Sequence, residues 1–205
     1  VTPSADITIE RAVELIKGDD FKDIIEKLRT DTNSTTKSVR KNSLDYFTFS
    51  GTFKKRAESG IIKHSGILCL DFDNLEDVQA IKEYFKKWEF SLAVFVSPSG
   101  KGIKVLVKID PKKHLETFLE LQQVFANGPI PLVLDKSGKD LSRACFISHD
   151  PEIYFDPKAN TYKPKGAKPP KPEKPEKPEK LEKSEKPEKP EAPEKPEKPD
   201  TTDNQ

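Results

Sequence analysis

Two carboxylates, two residues apart, close an apolar run: Leu68-Cys69-Leu70-Asp71-Phe72-Asp73-Asn74. The apolar positions predict a strand, in which residues i and i+2 leave the same face, so Asp71 and Asp73 project together while Phe72 goes to the other side. Two carboxylates side by side at the mouth of an apolar strand cost desolvation and repulsion unless a cation meets them. Oxygen ligands of this kind suit Mg²⁺ or Mn²⁺. Taken alone, the pattern also describes a strand end at which Asp73 merely caps a helix starting near Leu75.

A second element is the turn Ser97-Pro98-Ser99-Gly100-Lys101-Gly102-Ile103-Lys104. The small residues Ser97, Ser99, Gly100 and Gly102 let backbone amides approach an anion, and Lys101 and Lys104 bring positive charge, as a phosphate-binding loop requires. Its spacing is not that of a Walker loop, and a strand rather than a helix follows; alone it is an ordinary hairpin turn. Asp135 ends the run Pro131-Leu132-Val133-Leu134 as Asp71 ends its own, and Arg143 lies eight residues on, able to meet a phosphate bidentately. Acid pair, phosphate loop and third acid in this order describe a two-metal nucleotidyl-transfer site with Asp71, Asp73 and Asp135 as its catalytic metal ligands.

The elements that must hold these residues follow from periodicity. Two short N-terminal helices are expected: one capped by Asp6 or Thr8 and ended by Gly18, the other capped by Asp19 or Asp20 and burying Phe21, Ile24, Ile25 and Leu28. The polar stretch 30–43 reads as a loop, and 44–53 as an aromatic strand reaching a turn at Ser50-Gly51. Strands are expected at 66–73, on both sides of the 97–102 turn, at 130–135 and at 142–148, with amphipathic helices at 76–88 and 114–126. This order predicts an α+β fold, a ferredoxin-like sheet with helices packed on one face.

The same stretches carry a family resemblance. Residues 49–56 (FSGTFKKR), 64–74 (HSGILCLDFDN), 96–109 (VSPSGKGIKVLVKI) and 132–155 (LVLDKSGKDLSRACFISHDPEIYF) resemble the archaeo-eukaryotic primase, or primase-polymerase, superfamily, in particular the VirE N-terminal-type domain of Bacteroidetes mobile elements, over Leu44–Tyr154. The resemblance implies a catalytic core built on an RRM-like or ferredoxin-like sheet. It implies metals on Asp71, Asp73 and Asp135, and an incoming triphosphate held by Ser99, Lys101 and Lys104 with Arg143 assisting. Lys104 stands where many catalytic members have His. Single-stranded DNA template, nucleoside triphosphates and a separate helicase are the implied partners.

Composition bounds the rest. Residues 163–205 repeat Lys-Pro-Glu and read as an extended spacer, leaving 1–162 as the folded domain. Subtracting the 12 Lys and 11 acidic residues of that tail from chain totals of 36 and 35 leaves 24 of each sign, a formally neutral domain. Broad, non-specific grip on a polyanion is therefore excluded, and nucleic-acid contact must be local. Lys54, Lys55 and Arg56 are the candidate contact, and Lys37, Arg40 and Lys41 form a second basic cluster; each also describes an ordinary solvated face. Phe47, Phe49 and Phe53 are of a type that stacks bases, but an aromatic strand more often reads as core, as does Trp88; His64, His114 and His149 read as surface or capping residues. Cys69 and Cys145 read as core residues in a reducing compartment. With no run of roughly 20 apolar residues and no signal-peptide pattern, a cytoplasmic protein is expected. Two functions follow: a primase-like nucleotidyltransferase, or a non-catalytic primase-like accessory factor for a replication helicase. A dehalogenase-like phosphatase is disfavoured by Leu75, where that family wants Thr or Val.

Overall fold

Thr8 opens the first helix by accepting a hydrogen bond from the Arg11 N–H (3.2 Å), and Gly18 closes it, giving α1 (Ile9–Lys17) with Ala12 and Ile16 buried. The computed structural model describes residues 1–165, so the Lys-Pro-Glu tail lies almost wholly outside the described residues. Neither Asp19 nor Asp20 caps the second helix. A 3₁₀ turn over Asp19–Phe21 leads instead into α2 (Lys22–Thr30), which buries Ile25 and Leu28. The stretch expected as a loop forms α3 (Ser34–Asn42), started by Asn33, whose side chain accepts from the N–H groups of Thr35 and Thr36, both at 3.0 Å. Its residues are poor helix formers with one apolar side chain, so nothing periodic announced it.

The expected aromatic strand is broken by a turn into β1 (Tyr46–Phe47) and β2 (Gly51–Phe53). There follow β3 (Ile61–His64), β4 (Ile67–Phe72), α4 (Val78–Lys86), β5 (Ser91–Val96), β6 (Ile103–Ile109), α5 (His114–Ala126), β7 (Cys145–Phe146), β8 (Tyr154–Phe155) and β9 (Thr161–Tyr162). The central sheet runs β4-β6-β5-β8, antiparallel throughout, and β9 adds parallel to the far end of β6. β1 pairs β7 and β2 pairs β3 as separate two-stranded ribbons. The fold is thus α+β, five helices with a mostly antiparallel sheet and the short helices first.

One face of the sheet buries Leu68, Leu70, Phe72, Val94, Ile103, Val105 and Val107 against α4 and α5, which contribute Phe85, Phe118, Leu121 and Phe125. Each such side chain is worth about 1.5–3 kcal/mol, and together they fix the register of β4: a slip of one residue drives Asp71 into this core. The opposite face is also covered, by α1 and by Phe49 and Cys145 over Ala93, Phe95 and Leu106. A sheet with helices on one face only was therefore too simple, and the all-buried strand β5 reflects the double cover.

The segment 130–135 is not a strand. Its side chains alternate as a strand's do, with Leu132 and Leu134 buried and Val133 exposed, yet it makes no ladder. It is held by the Leu132 N–H to Phe125 carbonyl bond (3.0 Å) and the Asp135 N–H to Asp71 carbonyl bond (2.9 Å). Of 142–148, only Cys145–Phe146 is strand. Among the described residues no helix is long and apolar enough to cross a membrane.

Candidate metal centre at the end of the central sheet

Asp71 lies one residue before the end of β4, on the face turned toward β7, opposite Lys104 in the antiparallel register with β6. Both are buried. Asp73 follows the strand and remains exposed, and Asp135 arrives half-buried on the segment docked against the free edge of β4. One oxygen from each of the three carboxylates lies within 4.8 Å of the others. Asp73 does not cap the next helix: α4 starts at Val78, and Asp77 accepts from the Ala80 N–H (2.9 Å) in that role.

Cations already touch the cluster. The Lys104 ammonium donates to Asp71 Oδ2. Arg143 Nη2 donates to Asp135 Oδ2 at 2.6 Å and stands 3.6 Å from Asp71 Oδ2. Asp71 Oδ1, by contrast, is buried and receives no hydrogen bond. A buried oxygen left bare costs about 1–3 kcal/mol, and this one belongs to a carboxylate clustered with two others, a place for a cation. Around one Mg²⁺ opposed oxygens stand about 4.2 Å apart and adjacent ones about 3 Å, so three carboxylates within 4.8 Å of one another must draw together to share one ion, an adjustment within the reach of side-chain rotation. Three carboxylates so grouped can hold a metal ion, and an all-oxygen donor set is the kind hard divalent cations take.

The titration behaviour reflects this crowding. Desolvation, then the adjacent Asp71, raises the Asp73 carboxyl above its ordinary pKa, while Lys104 and Lys41 pull it part of the way back. Burial works against the charge on Asp135, but the Ser137 N–H (2.9 Å) and Arg143 outweigh it and hold that carboxyl low. Burial also presses Lys104 toward neutrality, and the facing Cys145, Asp71 and Cys69 more than offset it, so its pKa is raised.

The 97–104 turn is placed beside the acids by two close approaches. The Leu75 N–H donates to the Lys101 carbonyl (2.9 Å), and Gly102 lies so near β4 that a Cβ there would meet the Phe72 carbonyl at 2.3 Å. Gly100 takes φ +74°, which only glycine adopts freely. Two amides offered to an anion are spent inside the turn, Gly100 N–H on the Ser97 carbonyl (2.9 Å) and Lys101 N–H on Ser99 Oγ (3.3 Å). Ser97 is buried with its hydroxyl 3.1 Å from that of Ser99, and Lys101 is exposed. What the turn presents to a phosphate is thus chiefly the Lys101 ammonium and the serine hydroxyls.

Lys54, Lys55 and Arg56 are exposed on the connection from β2 to β3 and share no hydrogen bond or ion pair with the carboxylates among the described residues. Two contributors escaped the sequence reading. Lys41, noted only as part of a basic cluster, sits on helix α3 where its charge is felt by Asp73. Arg29 of α2 holds the turn from beneath, donating to the carbonyls of Ser97 (3.2 Å) and His149 (3.0 Å), with its side chain 3.4 Å from where a Gly100 Cβ would lie. The histidines differ from expectation too: His114 and His149 are buried, and His64 Nε2 faces His114 Nδ1 at 3.1 Å.

A family model, BT4734-like, N-terminal domain, matches residues 39–155, more than half of the chain. The chain belongs to the BT4734-like N-terminal-domain family. Among curated proteins and among solved structures, nothing matches. The BT4734-like region takes in the three carboxylates, the 97–104 turn, Lys41 and Arg143, while α1 and α2, with Arg29, precede it.

Proposed function

We propose that the chain is a metal-dependent nucleotidyltransferase of the primase-polymerase type, acting in the cytoplasm on a single-stranded DNA template with nucleoside triphosphates during replication of a mobile element. The observation that carries this reading is the convergence of Asp71, Asp73 and Asp135 beside the Ser97–Lys104 turn, with a bare buried oxygen on Asp71. Asp71, Asp73 and Asp135 would hold Mg²⁺ or Mn²⁺. The bound cation would lower the pKa of the attacking hydroxyl and neutralise the departing pyrophosphate. Lys101, Ser99 and Arg143 would orient the triphosphate. Lys104, buried against Asp71, holds that carboxylate in place.

One observation favours a second reading. Lys104 and Arg143 already neutralise much of the cluster, which suits a non-catalytic primase-like factor that binds nucleic acid and assists a separate helicase. Incubating the protein with single-stranded templates, labelled nucleotides and Mg²⁺ or Mn²⁺, beside an Asp71→Asn/Asp73→Asn variant, separates the two. Polymer from the wild type alone supports transfer. Strand binding without polymer from either protein transfers the weight to the accessory factor.

A further inference from the structure

Away from the carboxylates, the β1–β7 ribbon carries a row of alternating cations and rings. Lys41 Nζ stands 5.9 Å from the centroid of the Phe146 ring. Phe146 is the register partner of Tyr46 and meets it edge to face at 6.2 Å. The Arg56 guanidinium lies 5.4 Å from the centroid of Tyr46. Both rings are half-buried and both cations exposed. The row begins beside the carboxylates, Phe146 coming three residues after Arg143, which bonds Asp135, and it ends at the basic group Lys54, Lys55 and Arg56.

None of Lys41, Lys54, Lys55 and Arg56 forms an ion pair among the described residues, whereas their neighbour Arg40 is spent on Asp31 at 3.1 Å. In a domain of balanced charge, unspent cations gathered along accessible rings form a local polyanion track. Rings accept any base by its flat face, and cations beside them take the phosphates, a combination suited to single strands. A duplex keeps its bases stacked inside and has no use for the rings.

We propose that a single-stranded nucleic acid lies along the β1–β7 ribbon, from the carboxylate cluster to Arg56, with bases against Phe146 and Tyr46 and phosphates at Lys41 and Arg56. The role of that strand as template rests on the nucleotidyl-transfer reading; its binding does not.

The test is fluorescence anisotropy of a labelled 20-nucleotide oligo-dT with the full chain at several salt concentrations. Phe146→Leu and Tyr46→Leu, which keep apolar bulk, are expected to weaken binding about five- to hundred-fold each without changing the salt slope. Lys41→Gln and Arg56→Gln are expected to flatten the plot of log K against log salt by about 0.7 each. Oligo-dT binding by ring variants equal to that of the wild type overturns the proposal, as does displacement of the strand by poly-glutamate at equal charge, which marks the row as a site for acidic proteins. Should a ring variant fail to fold, photocrosslinking of an iodouracil oligonucleotide to the wild type decides: adducts on Tyr46 or Phe146 support the track, and adducts only elsewhere overturn it. Ring-dependent binding without polymer synthesis counts against the transfer reading alone. Synthesis with ring-independent binding counts against this one alone.

Discussion

Lys82 and Lys104 are both lysines buried against an aspartate at the same end of the central sheet, and the hydrogen bonding of the two aspartates differs. Around the first, Asp150 is complete: Oδ1 accepts from Lys82 (2.9 Å) and the Glu152 N–H (3.1 Å), Oδ2 from Lys82 (2.8 Å) and the Val96 N–H (2.8 Å). Around the second, Lys104 and Arg143 crowd onto Asp71 Oδ2 while Oδ1 has nothing. A closed ion pair pins the end of β5 just before the 97–104 turn; an open one leaves a carboxylate oxygen for a ligand. Burial alone does not distinguish structure from function. Completeness of the hydrogen bonding is what separates these two pairs.

The largest effect expected is on the closed pair. Lys82→Met strands Asp150 in the interior and is expected to cost about 3–5 kcal/mol in urea unfolding, whereas Lys104→Met costs less because Arg143 is at hand; equal losses would erase the contrast. Next comes the open oxygen. Mn²⁺ at a hundred times its dissociation constant is expected to stabilise the wild type by about 2.7 kcal/mol in a thermal melt and to leave Asp71→Asn unmoved, and a matching shift in that variant would place the cation elsewhere. The smallest effect is at Asp73. Its folded pKa is raised, so its charge opposes folding above that pKa and the penalty fades as pH falls through it. Asp73→Asn is accordingly expected to raise metal-free stability at pH 7 by up to about 0.5 kcal/mol, with the gain shrinking by pH 4; an unchanged gain would show that repulsion is not its source.

The acids of β4 were legible because alternation marks a strand and its apolar partners set the register, so the positions of Asp71 and Asp73 followed from side-chain period alone. Asp135 was legible as a residue but not as an arrangement. Leu132 and Leu134 point inward as a strand would require, yet no strand ladder forms along their backbone, and a ladder is a property of two segments rather than one. Helix α3 was hidden because it rests on an Asn33 cap and tertiary support for a sequence of Ser, Thr and Lys; with it went the position of Lys41. The claim of Lys104 and Arg143 on the carboxylates was likewise out of reach, since Lys104 reads as a phosphate contact until the register with Asp71 is seen.

Glu120 on α5 accepts from the Tyr162 hydroxyl (2.8 Å) and from the Lys165 N–H (2.8 and 3.0 Å), at the last described residue of the chain. Tyr162 belongs to β9, which runs parallel to β6, and β6 carries Lys104. A pull on whatever follows residue 165 is therefore borne first by this carboxylate latch, then as shear along two parallel strands, and is delivered to the strand that positions the buried ammonium beside Asp71.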